Sequence, residues 1–99
     1  MKAMHYLRIQ WLSTSTSEPD ETFVELDDRG FEVRIIELYR GRMMGFASAD
    51  EALPSSGLIR EPWTRLEQTA TDPDFRVQTL ARSEFETAWN NRLRLYPPS

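Results

Sequence analysis

From Met4 to Leu12 the side chains alternate, with His5, Leu7, Ile9 and Trp11 on one side and Tyr6, Arg8 and Gln10 on the other. A period of two over this length predicts a β-strand with one clearly apolar face. The Ser/Thr run from Ser13 to Ser17, followed by Glu18-Pro19, predicts a polar loop ending in a turn. A second, weaker strand is expected from Thr22 to Asp27, and Asp28-Arg29-Gly30 then turns the chain. Phe31 to Tyr39 is rich in β-branched and aromatic residues, and Met43 to Ala47 can return beside it as a hairpin. With Gly41-Arg42 as a two-residue turn of type II′, Arg40 pairs with Met43, Leu38 with Gly45 and Ile36 with Ala47. That register puts Val33, Ile35, Glu37, Tyr39, Met44 and Phe46 together on the opposite face. The face with Gly45 and Ala47 leaves room for a helix, and the other face needs cover of its own.

The second half of the chain changes period. Ser48 to Gly57 carries no regular pattern and ends in Pro54-Ser55-Ser56-Gly57, a loop. Pro62 suits the first turn of a short helix, with Trp63, Leu66 and Ala70 at helical spacing, until Asp72-Pro73 stops it. Phe75 to Leu80 reads as a short extended segment at a sheet edge. The clearest helix runs from about Arg82 to Leu93, where Phe85, Trp89 and Leu93 recur every four residues with Ala88 between them. Ser83 and Glu86 fit a capping box, and a start two residues earlier fits the stripe equally well. The expectation is one α+β domain over residues 1–99: an antiparallel sheet of about four strands, the C-terminal helix packed on one face, and a second short helix at an edge.

Composition narrows this picture. A chain of 99 residues buries only about 60–65% of its unfolded surface, so nearly every large apolar side chain must contribute to the core. No run approaches the ~20 apolar residues of a membrane helix. Lys2, His5, Arg8 and Gln10 interrupt any signal-peptide apolar segment. The absence of cysteine removes disulfides and thiolate metal sites, and makes the cytoplasm the simplest expected location. The net charge of −4 argues against nucleic acid as a partner. From Glu18 to Asp28 the chain holds six acids and no base. This run reads either as a solvated loop leading into a strand or as an acidic surface that steers a basic partner.

Candidate chemistry is sparse. The single histidine, His5, lies on the apolar face of the first strand and reads as structural. One histidine, no cysteine and an acidic run without calcium-loop spacing point to no metal site, and the four dispersed glycines form no phosphate loop. No catalytic residue and no cofactor are therefore expected. Glu32, Arg34 and Glu37 are the notable charges of the third strand. They read either as pairs across the sheet that fix register or as a charged rim around an apolar patch. Trp89 belongs to the helix stripe, whereas Trp11 and Trp63 stand near element ends.

In their order and spacing, several short motifs resemble the family of small uncharacterised bacterial domains catalogued as DUF6881. The likeness runs through Tyr6-Leu7-Arg8-Ile9-Gln10-Trp11, Glu18-Pro19, Glu25-Leu26-Asp27, Phe31-Glu32-Val33-Arg34, Glu37-Leu38-Tyr39 and Gly45-Phe46-Ala47. It continues through Leu66-Glu67, Asp72-Pro73-Asp74-Phe75 and the helix from Glu84-Phe85-Glu86 to Trp89. The chain departs from the family at Gly41-Arg42, where the family turn reads Asp-Gly, at Asp20-Glu21, where apolar residues are expected, and at Ala81, where a capping Ser or Thr is expected. The resemblance implies a fold and a standalone domain, and it supplies no site residues.

The functional expectation is a non-enzymatic module acting by protein–protein contact, as an immunity-like or regulatory partner, with Trp11, Glu37, Tyr39, Met44 and Phe46 as its candidate binding surface. The alternatives are a small-molecule-binding protein or small enzyme using the sheet face opposite the helix, and a homodimer joined through that face.

Overall fold

In a computed structural model, which describes residues 4–12, 19–49, 58 and 75–97, the chain builds a five-stranded antiparallel sheet with two short C-terminal helices, an α+β fold. The strands are β1 (His5–Trp11), β2 (Glu21–Leu26), β3 (Glu32–Tyr39), β4 (Arg42–Ser48) and β5 (Phe75–Thr79). The helices are α1 (Arg82–Asn90) and α2 (Arg92–Leu95). The sheet order is β4-β3-β2-β1-β5, so the first four strands form a meander and β5 crosses to pair with β1 at the far edge. The extended segment after Asp72-Pro73 is thus a full fifth strand, one more than the expected count. The helix expected over Pro62 to Ala70, with Trp63, lies outside the described residues.

The β3–β4 hairpin departs from the expected register, for a backbone reason. Its turn is Arg40-Gly41, flanked by the pair Tyr39 and Arg42, rather than Gly41-Arg42. Arg40 and Gly41 both have positive φ, 53° and 79°. Two positive values suit the type I′ turn, whose twist matches that of the strands, rather than type II′. A bulge at Met44 then absorbs one residue, because Leu38 pairs with Met43 while Glu37 pairs with Gly45. Ile36 therefore faces Phe46, and Ile35 faces Ala47. Phe46 belongs to the helix-covered face, and Gly45 and Ala47 to the opposite one, the reverse of the expected arrangement. A second bulge, at Val33, separates the pairs Glu25–Arg34 and Leu26–Glu32.

Both faces of the sheet carry a core. On the helix face Tyr6, Phe23, Ile36, Leu38, Met43 and Phe46 pack against Phe85, Ala88 and Trp89 of α1. Phe85 is fully buried, and its ring lies 5.4 Å from that of Tyr6. Burying an aliphatic or aromatic side chain of this size stabilises the fold by about 1.5–3 kcal/mol, which makes α1 an integral layer rather than an appendage. On the other face Leu7, Ile9, Val24, Leu26, Ile35 and Ala47 form a second buried cluster, with Leu58 and Val77 packed against it. The surplus of apolar strand residues is thus consumed within one chain.

The helix begins at the earlier of the two starts compatible with its stripe. Ala81 takes the cap position, and its N–H donates to Oε1 of Glu84 at 3.1 Å. Regular helix stops at Asn91, whose N–H bonds to the carbonyl of Thr87 and whose side-chain amide donates to the same oxygen. The chain rewinds as α2, which turns Leu93 off the stripe and leaves it exposed. A strict four-residue spacing would have kept Leu93 in the core, and the break at Asn91 is what removes it. His5, the first residue of β1, is likewise exposed rather than enclosed.

Candidate functional site

Two polar constellations lie on the helix face, and their strands place them by register. In the first, Tyr6, Glu25 and Arg34 stand in one row across β1, β2 and β3. Arg34 grips Glu25 with a two-pronged pair, Nε to Oε1 at 2.6 Å and Nη2 to Oε2 at 3.0 Å, and its Nη2 also bonds to Glu86 of α1. The guanidinium lies 5.0 Å from the Phe85 ring centre and 5.4 Å from that of Trp89. Burial alone would raise the Glu25 carboxyl. Hydrogen bonds from Arg34 and Tyr6, with the Arg34 charge, outweigh burial and hold it below its ordinary value. Burial first, and then the Glu25 carboxylate, push the Tyr6 phenol upward. The hydrogen bond to Glu25, opposed by burial and reinforced by Glu86, keeps Arg34 charged. Of the two readings for Arg34, the pair across the sheet is the one realised. The group ties the sheet to the helix.

The acidic run is used in the same way. Glu21 pairs with Arg8 at 2.5 Å. Asp27 Oδ1 accepts the N–H groups of Arg29 and Phe31 and so closes the β2–β3 turn. Asp20 Oδ2 accepts the N–H of Arg40 at the hairpin tip. Together with Glu25, four carboxylates of the run therefore hold backbone or side-chain partners. This favours a fastening role over a free acidic surface.

The second constellation surrounds a groove of about 410 Å³ between α1, α2 and the β5 end of the sheet. Its floor includes Arg8, Phe23 and Gln78, and its upper wall includes Glu84, Thr87, Ala88 and Leu95. Tyr96 closes one end, its ring meeting Phe23 edge-on at 6.0 Å. Burial and the nearby Glu21 charge raise the Tyr96 phenol, so at neutral pH it is an intact O–H donor. Arg8 is held by Glu21 through Nε and by Gln78 through Nη1 at 3.1 Å, which fixes the guanidinium at the floor. The lining is mixed, with Phe23, Leu80, Ala88, Leu95 and Tyr96 set among Arg8, Gln78, Thr79, Glu84 and Thr87.

Of the expected surface, Trp11, Glu37 and Tyr39 share the sheet face away from the helix, whereas Phe46 does not join them. Phe46 lies on the helix face, buried, with its ring edge-on to Trp89 at 5.8 Å and Arg92 stacked 4.3 Å from its centre. Glu37 sits opposite Thr22 and Gly45 on the other face, and Tyr39 precedes the hairpin turn, its ring beneath Arg40. Met44 is the bulge residue of β4, and Trp11, on β1, lies three strands away from it. Glu37, Tyr39, Met44 and Trp11 are half-buried. The groove residues were not anticipated, because the Arg8 and Gln10 side of β1 read as the wet side. The available signal was Tyr6 on that same side, an aromatic that asks for cover.

Fold and groove together define a small α+β domain in which an antiparallel sheet and a C-terminal helix frame a cleft. The chain belongs to the family described as Domain of unknown function (DUF6881), whose model matches residues 5–94. Comparison with curated proteins and with solved structures finds no match.

Proposed function

We propose that this domain is a non-enzymatic binding module that acts by contact with another protein, in a regulatory or immunity-like role, and that the groove receives the partner. The observation that carries this reading is the groove's composition and setting. Phe23, Leu80, Ala88 and Tyr96 supply apolar contact, Gln78 and Thr87 supply hydrogen bonds, and Leu95 at its wall is 49% exposed. A cleft of this kind, beside the exposed Leu93 of the same short helix, is suited to accepting side chains from a second surface. The cysteine-free composition supports a cytoplasmic location as part of this proposal.

The test is capture from a lysate of the source organism, using the wild-type chain and the variants Thr87→Arg and Leu95→Asp, followed by affinity measurement against the captured protein. A partner bound by the wild type and lost with either variant, at unchanged thermal stability, supports the groove as its seat. A partner retained equally by all three overturns it. The second reading, a small-molecule site, is favoured by the volume, which falls within the range of small-ligand clefts. It moves from the sheet face opposite the helix to the groove, because Leu7, Ile9, Val24 and Ile35 on that opposite face are buried. A metabolite that raises the melting temperature of the wild type but not of Thr87→Arg would select it.

A further inference from the structure

We propose that a second copy of this chain pairs with the outer edge of β5, extending the sheet across a two-fold axis at Val77. This goes beyond the reading of the groove and does not depend on it. The hydrogen-bond parity of the sheet determines which groups of β5 face outward. The N–H of Leu80 bonds to the carbonyl of Tyr6, and the N–H of Trp11 to that of Asp20. Even-numbered residues of β1 therefore bond to β5, and odd-numbered residues to β2, so Arg76 and Gln78 direct their backbone groups inward. The N–H and C=O of Phe75, Val77 and Thr79 point away from β1, and β5 is paired on one side only among the described residues.

Those outward groups are self-complementary. An antiparallel copy centred on Val77 sets Val77 against the partner's Val77 and Phe75 against the partner's Thr79, and every such pair joins outward-facing groups. The only charge on the strand, Arg76, then lies directly across from the partner's Gln78, a neutral acceptor, and the two arginines of the pair meet only diagonally, about 7–8 Å apart. The Val77 side chain already packs against the cluster of Leu7, Ile9 and Val24, and pairing at Val77 continues that apolar layer over the seam. The other edge is less suited, because the bulge at Met44 breaks the regular spacing of β4. A two-fold contact of this kind is isologous and closes on itself, giving a dimer rather than a fibre. It also brings the partner's Arg76 beside Gln78 at the floor of each groove. Five residues a side make a small interface, so the association belongs to the weak, concentration-dependent class.

The test uses the full chain. Sedimentation over a concentration series is expected to show a monomer–dimer equilibrium. Amide hydrogen exchange is expected to show slowing at Val77 and Thr79 as concentration rises, with Arg76 and Gln78 protected at every concentration. Val77→Lys and Val77→Glu are each expected to be monomeric alone and to associate when mixed, a rescue that a merely structural role for Val77 would not produce. A wild type that stays monomeric throughout, or concentration-independent exchange at Val77 and Thr79, overturns the proposal. So does association of Val77→Lys alone as strongly as wild type. Should either variant fail to fold, the wild-type exchange pattern still decides.

Discussion

Replacing Arg34 by alanine removes the cation from a carboxylate that has almost no water. The Glu25 side chain is 6% exposed and takes two hydrogen bonds from Arg34, at 2.6 and 3.0 Å. Breaking a buried pair by deleting one member costs about 3–5 kcal/mol, because the remaining charge is left uncompensated. Domains of this kind have total stabilities of about 5–15 kcal/mol, so the loss is a large fraction of the whole. With a urea slope of about 2 kcal/mol/M, the unfolding midpoint should fall by about 2 M. Trp89, with Arg34 stacked on its ring, supplies a fluorescence signal that circular dichroism can check. The double variant Arg34→Met with Glu25→Leu should recover most of the loss, since apolar replacement of both partners leaves no buried charge. Glu86→Gln should cost about 1 kcal/mol or less, because its side chain is 33% exposed. An Arg34→Ala loss below about 1 kcal/mol, or a double variant no more stable than the single, would refute the reasoning.

Stability should fall in acid as the pH drops from the ordinary carboxyl value of 4.5 through the lower value that Arg34 and Tyr6 impose on Glu25. Its contribution is fully present above that range, and Glu25→Gln should flatten this part of the profile in pH-dependent urea melts. Phe46→Ala should cost about 3–5 kcal/mol, whereas Met44→Ala should cost markedly less, and equal losses would contradict the bulge that separates them. Arg40→Asn should stabilise the hairpin by about 0.5–1 kcal/mol, read from thermal melts, because asparagine tolerates the positive φ of 53° better and keeps the N–H bonded to Asp20.

Element types were legible in the sequence because local signals agree: β1 alternates, β3 is rich in β-branched and aromatic residues, and α1 carries an apolar stripe. The sheet's register was not. It turns on whether Arg40 or Arg42 shares the turn with Gly41, and an arginine at positive φ carries no compositional signal. That one-residue choice, compounded by the bulge at Met44, decides the face of Phe46, and with it the membership of the expected surface. The break at Asn91 was similarly hidden, since Leu93 continues the stripe in sequence while the backbone does not. The groove has no trace in the sequence for a different reason. It joins Arg8 to Gln78, 70 residues away, and no local pattern links residues at such a distance. Arg34 was singled out from its strand alone, and only the fold could supply Glu86, 52 residues further on.

The crossing of β5 to the far side of the meander has a consequence for how the chain acquires its structure. Strands β1 to β4 pair with their sequence neighbours, so the first half of the polypeptide can close its ladders by short-range searches. Edge closure and helix docking wait for the last quarter, which must return to β1 across the whole sheet. Among the described elements, it is α1 that covers the meander's helix side (Tyr6, Phe23, Ile36, Leu38, Met43 and Phe46), and on a ribosome α1 emerges last of these layers. Synthesis that stalls before Phe85 thus leaves a sticky half-sandwich. The interval between the completion of β4 and the arrival of α1 is therefore where we expect a chaperone to be of most use.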